Sequence, residues 1–220
     1  MKPTFSRQQE AAMTLLEVSV VVAMVMVVAV VILAMHVRAD YSVQAENTAC
    51  INNLKQIGLA GRIWEGDNGD LYPAGLSVTK GGAKELLQAG GAVQGFLVMS
   101  NDLGVPALLC CPSDEQRSEA RTFDGLSSSN VSYFFGADAT NDLNPDMMFA
   151  GDSNFEIGGH PVKPGLLSIG TNDPISWQPV RHGKSGNICF ADGSVRAERT
   201  SDLQWVIERT EQATNHLAIP

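Results

Sequence analysis

The longest apolar stretch of the chain, residues 18–35, carries no charge and extends back to Met13 with Glu17 as its one ionisable group. Residues 13–35 would form about 35 Å of helix at 1.5 Å per residue, enough to cross a hydrocarbon core of about 30 Å. Beyond the stretch the pattern changes. Cys50, Leu54, Ile57, Gly61 and Trp64 recur at steps of four and three, while Asn52, Asn53, Lys55, Gln56 and Arg62 fall between them. That spacing marks one face of an amphipathic helix. No proline lies between Thr14 and Tyr72, so a single helix from about Met13 to Trp64 is predicted. It would end in Gly66-Asp67-Asn68-Gly69-Asp70, a run of turn formers.

From Leu71 onward short apolar runs alternate with Gly, Pro, Asn, Asp and Ser. Lys84 to Gln88 reads as a short helix, and residues 131–135 and 147–150 read as strands. Residues 187–191 and 194–198 flank Asp192-Gly193, a dipeptide that favours a two-residue hairpin turn because type I′ needs positive φ at both positions. Closing the hairpin there pairs Phe190 with Val195 and Cys189 with Arg196. The register then puts Ile188, Phe190, Val195 and Ala197 on one face and Cys189 on the other. Ser201-Asp202-Leu203-Gln204 reads as a capping box opening a helix with Leu203, Val206 and Ile207 as its apolar side.

Composition and charge narrow the setting. The chain is 220 residues long with a formal charge of −9, room for one ordinary domain and an appendage. Residues 1–12 hold Lys2, Arg7 and Glu10, a net +1, which leaves −10 on the rest. An acidic body excludes nucleic acid as an expected partner. Lys2 and Arg7 ahead of the span place the N-terminus in the cytoplasm and the body across the membrane, with Arg38 a mild counter-signal. A cleaved signal peptide ending near Asp40 is the competing reading, but 18 uncharged apolar residues exceed the roughly 7–15 of such peptides. A plain signal anchor is the other. The four cysteines, Cys50, Cys110, Cys111 and Cys189, show no C-x-x-C spacing, and an extracytoplasmic body would permit disulfides.

Glu17 separates these readings, because a carboxylate at the start of a membrane helix costs a few kcal/mol unless partnered or protonated. Ala12-Met13-Thr14-Leu15-Leu16-Glu17 resembles the prepilin cleavage and methylation signal, in which a peptidase cuts after a small residue and leaves glutamate at the fifth mature position. The cut would follow Ala12 and leave Met13 as the N-methylated first residue; the family more often has glycine and phenylalanine there. Further pieces are similar to the prepilin-like proteins of planctomycetes and verrucomicrobia. These are residues 50–58, Cys111-Pro112-Ser113-Asp114, residues 150–154, and His182 followed after nine residues by Asp192-Gly193.

The resemblance implies a type IV pilin-like or type II secretion pseudopilin-like subunit with an α+β fold, a long N-terminal helix packed on a small antiparallel sheet with long loops. Residues 1–12 would be the leader, 13–36 the transmembrane half of the helix, 37–66 its periplasmic amphipathic half, and 67–220 the globular domain. The subunit would sit in the inner membrane as a single-pass protein with its body in the periplasm. Its partners would be prepilin peptidase, other pilin or pseudopilin subunits and inner-membrane lipid. Glu17 would pair with the free amino group of a neighbouring subunit during assembly. A membrane-anchored binding module that never polymerises, and a secreted hydrolase, are the rivals.

The candidate chemistry is sparse, and no enzyme activity or cofactor is expected. His182, Cys189 and Asp192 hold the residue types of a thiolate nucleophile and its base, but turn and strand account for Asp192 and Cys189. Asp152, His182 and Asp192 are weak metal candidates, and Asp67 to Asp70 is an oxygen-rich run that suggests calcium without matching an EF-hand loop. Cys50, on the helix face that meets the body, is expected to pair with Cys111, with Cys110 as second choice and four free thiols as the alternative. Cys189 is the last partner expected for it.

Overall fold

The computed structural model describes residues 14–220, without the side chains of residues 36–42. Lys2, Arg7, Ala12 and Met13, and with them the cleavage site, lie outside the described residues, as do the side chains of Arg38 and Asp40. The protein is α+β. Helix α1 spans Leu15–Asp67, and the short helices α2 (Lys84–Gln88), α3 (Ala92–Val98) and α4 (Ser100–Leu103) follow it. Strands β1 (Tyr133–Gly136), β2 (Met148–Asp152), β3 (Phe155–Ile157), β4 (His160–Pro161), β5 (Gly165–Gly170), β6 (Ile175–Trp177), β7 (Ser185–Phe190) and β8 (Val195–Arg199) come next. Helix α5 (Thr200–Arg209) and strand β9 (Thr214–Ile219) complete the order.

The chain divides into two units at Ser42/Val43. In the first, Leu15–Met35 is a single helical stretch, apolar and long enough to cross a membrane, with every side chain exposed. Thr14 and Glu17 close its start. The Thr14 amide and hydroxyl both donate to Glu17 Oε2, at 2.8 and 3.1 Å, and the Glu17 amide donates back to Thr14 Oγ1 at 3.3 Å. This reciprocal capping box satisfies amides that otherwise have no intrahelical partner.

In the second unit a six-stranded sheet of order β5-β9-β1-β2-β7-β8 pairs antiparallel throughout, and β4-β3-β6 form a smaller antiparallel sheet. The sheet is thus larger than the sequence pattern suggests. Both of its faces are buried, and the two-residue period of β1 shows how: Tyr133 and Phe135 enter one core cluster and Phe134 the other. The first cluster receives Cys50, Leu54, Ile57, Ala60 and Trp64 of α1 against Phe135, Phe149, Cys189 and Ala191. The second holds Ile188 and Phe190 with Leu203, Val206 and Ile207 of α5, and Phe155 stacked on Trp177 at 4.3 Å between centroids. Gly61 lets α1 lie directly on Phe149, since a Cβ there would fall 2.5 Å from the ring.

Two expectations are corrected. The Asp192-Gly193 hairpin pairs Cys189 with Val195 and Ile188 with Arg196, one residue away from the type I′ register. Gly193 donates to the Phe190 carbonyl and Phe190 to that of Ser194, both at 2.9 Å. The loop is therefore three residues, a type I turn closed by Gly193 at φ +81° as a G1 bulge. The extra loop residue moves Val195 from the Ile188 and Phe190 face to that of Cys189. Cys189 keeps the face opposite Ile188 and Phe190, but that face is the fully buried α1-facing side and not an outer one. Likewise α5 begins one residue before Ser201. Its first-turn acceptor is the Asp202 carboxylate, which receives the Arg199 amide at 3.2 Å, so Ser201 and Gln204 do not form the expected box.

Candidate functional site

Four of the segments singled out in the sequence converge at one end of β2 and β7. Cys50 of α1 is joined to Cys111, which follows the short turn Pro106–Leu109, by a disulfide with Cα atoms 5.2 Å apart. Among the described residues Cys110 and Cys189 are free and buried. Cys111 is held from its backbone side: its amide donates to Ser132 Oγ at 3.0 Å, and that hydroxyl donates to Asp114 Oδ2 at 2.8 Å. The buried Asp114 also receives Arg117 Nη1 at 3.2 Å and pairs with Arg181 Nη2. Arg181 Nη1 reaches the Ser132 carbonyl at 3.0 Å. Burial pulls the Arg181 guanidinium down from its ordinary value, and Asp114 opposes this.

On the other side of the disulfide lies His182, in the turn that leads into β7. Its φ is +46°, a left-handed conformation uncommon outside glycine, and Gly183 continues it at +65°. The turn is pinned by Ser185 Oγ, which donates to the His182 carbonyl at 2.5 Å. The result is an imidazole with a side chain 1% exposed, its Nε2 3.4 Å from Cys111 Sγ and 3.5 Å from Asp152 Oδ2. Asp152, at the end of β2, is fully buried and accepts the amide and side-chain nitrogen of Asn187 at 2.7 and 3.0 Å. Asn187 in turn donates to Asn47 Oδ1 of α1 at 2.9 Å.

Burial dominates the electrostatics of this pair. It lowers the affinity of the His182 imidazole for a proton, against the pull of Asp152, and it raises the Asp152 carboxyl, against His182 and Asn187. His182 Nδ1 and Asp152 Oδ1 have no hydrogen-bond partner among the described residues.

Asp192 is not part of the cluster. It lies exposed in the turn at the opposite end of β7, six residues and roughly 20 Å of strand from His182, and its Oδ1 accepts the Ser194 amide at 2.8 Å. Nor do His182, Cys189 and Asp192 assemble. A Cβ on Gly58 would lie 2.7 Å from Cys189 Sγ, which places that thiol eight residues, or about 12 Å, along α1 from Cys50. Burial pushes the Cys189 thiol up to about 12, so it is not a thiolate at neutral pH. The nine residues between His182 and Asp192 are the length of chain from the disulfide to the turn lying over Gly58.

The sequence does not group Cys111 with Asn47, Ser132, Asn187 and Arg181, because these residues meet only through the sheet register. The one signal for them is the polar character of Asp152 and Asn187 within otherwise apolar strands. Arg117, Arg181, Asp114, Ser153 and Gln178 also line an open cleft of about 530 Å³. The chain matches no protein-family model, no curated protein and no solved structure.

Proposed function

We propose that this protein is a pilin-like structural subunit, processed after Ala12 by prepilin peptidase and assembled into a type II secretion pseudopilus or a type IV pilus-like filament. In this reading the body is periplasmic, the anchor crosses the inner membrane once with its N-terminus cytoplasmic, and the partners are other pilin-type subunits. The observation that carries the reading is α1. It begins as an apolar stretch with one carboxylate, Glu17, and ends as an amphipathic helix whose apolar stripe lies on an antiparallel sheet. Helix-to-helix packing of the apolar parts would join subunits, and Glu17 would set register by pairing with a neighbour's terminal amine in lipid.

One observation favours a second reading, a membrane-anchored binding module. Thr14 already supplies Glu17 with hydrogen-bond donors, so the carboxylate has a local partner without a neighbouring subunit. The cleft beside Arg117 would then be the place to look for a ligand.

Two measurements decide between them. Mass spectrometry of the mature protein is expected to find an N-methylated Met13 at the N-terminus; a chain starting at Asp40 would sink the pilin reading. Glu17→Ala is expected to abolish incorporation into filaments or crosslinked oligomers while leaving membrane insertion intact; incorporation equal to wild type would show that Glu17 has no assembly role, and absence of any filament or crosslinked oligomer from the wild-type chain would favour the binding module.

A further inference from the structure

The imidazole against the Cys50–Cys111 bridge is the least explained feature of the body. A disulfide needs no base beside it, yet a left-handed backbone places the buried His182 ring there. Two sulfurs and one ring nitrogen, from α1, the 111 segment and the turn before β7, lie within 4.8 Å of one another. Asp152 stands at the same nitrogen with one carboxylate oxygen unpartnered among the described residues.

We propose that Cys50, Cys111 and His182 form a zinc-class metal site that is the reduced alternative to the disulfide, with Asp152 available to the fourth position. The donor set is decisive for the metal class: two thiolates and an imidazole suit zinc and similar thiophilic ions, and not calcium or magnesium. The spacing agrees. With Zn–S of about 2.3 Å and Zn–N of about 2.0 Å, tetrahedral geometry separates sulfur from nitrogen by roughly 3.5 Å and nitrogen from oxygen by roughly 3.3 Å. His182 Nε2 lies 3.4 Å from Cys111 Sγ and 3.5 Å from Asp152 Oδ2. The two sulfurs must part to roughly 3.8 Å, and Asp152, which lies outside the 4.8 Å group of the other three, must close on them to fill the fourth position.

The chemistry balances with a dithiol reductant. The dithiol gives two electrons and two protons and closes to its own disulfide, the Cys50–Cys111 bond breaks, and both sulfurs become thiols. The metal ion then displaces two protons to solvent and forms two metal–sulfur bonds. Neutral His182 donates its Nε2 lone pair, with its one ring proton on Nδ1 in the metal-bound form. Bridge and metal are mutually exclusive, so the site reports the redox state of the compartment in which the body folds.

The test uses the full-length protein in detergent, stripped of metal and reduced with a phosphine, with Co²⁺ as the probe. One cobalt per chain is expected, with the intense visible bands of a tetrahedral ion and near-ultraviolet thiolate charge transfer; the oxidised protein should show neither. His182→Ala should weaken binding at least about tenfold. A Cys110→Ser/Cys189→Ser variant and Asp192→Ala should each bind as wild type. X-ray absorption at the zinc edge of the reduced, zinc-loaded wild-type protein, which needs no variant to fold, should show two sulfurs and two lighter atoms. The proposal is overturned if reduction produces no tetrahedral cobalt spectrum, if His182→Ala binds as tightly as wild type, if the Cys110→Ser/Cys189→Ser variant loses the site, or if the zinc shell holds four sulfurs or none.

Discussion

Glu65 is the last acidic side chain on the buried side of α1, and its environment makes a pH prediction with a definite sign. Burial, reinforced by nearby Asp142, raises its carboxyl, while Arg62 Nη1 at 3.4 Å only partly offsets this. A carboxyl raised on folding binds more protons in the native state than in the unfolded one, so stability falls as pH rises from the unfolded value of about 4.3 through the folded one. Glu65→Gln should remove that decline, so the change in urea midpoint from pH 4 to pH 7 should be more positive in the variant than in wild type. Gly58 permits a second prediction at this scale. A methyl group there would sit 2.7 Å from Cys189 Sγ, so Gly58→Ala should destabilise by about 1–3 kcal/mol. Trimming the other partner with Cys189→Ala should recover part of the loss in a double-mutant cycle. No recovery would mean that the helix and strand do not meet at this point.

Elements were legible in proportion to how asymmetric their surroundings are. The stripe of α1 could be read because one side of it is solvated, and Cys50, Leu54, Ile57, Gly61 and Trp64 are all buried. Strand β7 is central and buried on both faces over its length from Gly186 to Phe190, so its hydrophobic pattern carries no information about register. Turn chemistry had to decide alone, and Asp-Gly serves a three-residue loop with a G1 bulge as readily as a type I′ turn. Strands β3 to β6 escaped notice because they are two to six residues long and interrupted by glycine and proline. The site was half legible for the same reason: Cys50 lies on the readable stripe, whereas His182 reaches it through a left-handed turn that no periodicity marks. The disulfide that ties α1 to the 111 segment closes a loop of 61 residues, for which chain entropy alone suggests about 4 kcal/mol. Cys50→Ser/Cys111→Ser should therefore lower unfolding free energy by about 2–4 kcal/mol in denaturant titrations, while the same substitutions at Cys110 and Cys189 leave the crosslink intact.

At the scale of the molecule, charge and core divide the chain at the same place. Lys2, Arg7 and Arg38 balance Glu10, Glu17 and Asp40, so the whole formal charge of −9 falls on residues 43–220. Both buried clusters and the disulfide lie in that part too. The described side chains of residues 14–35 are exposed. A contiguous apolar surface of that extent is tolerated only against lipid or a partner. Residues 43–220 expressed alone in an oxidising compartment should thus yield a soluble, monomeric protein that unfolds cooperatively, because the surface that drives association has been removed and the remaining charge is repulsive. The full-length chain should instead resist alkaline extraction from membranes. Calorimetry on the fragment and fractionation of the full chain check the two halves. A fragment that aggregates or lacks a cooperative transition would show that the first part of α1 contributes to the core, and an extractable full-length chain would remove the anchor on which the pilin-like reading depends.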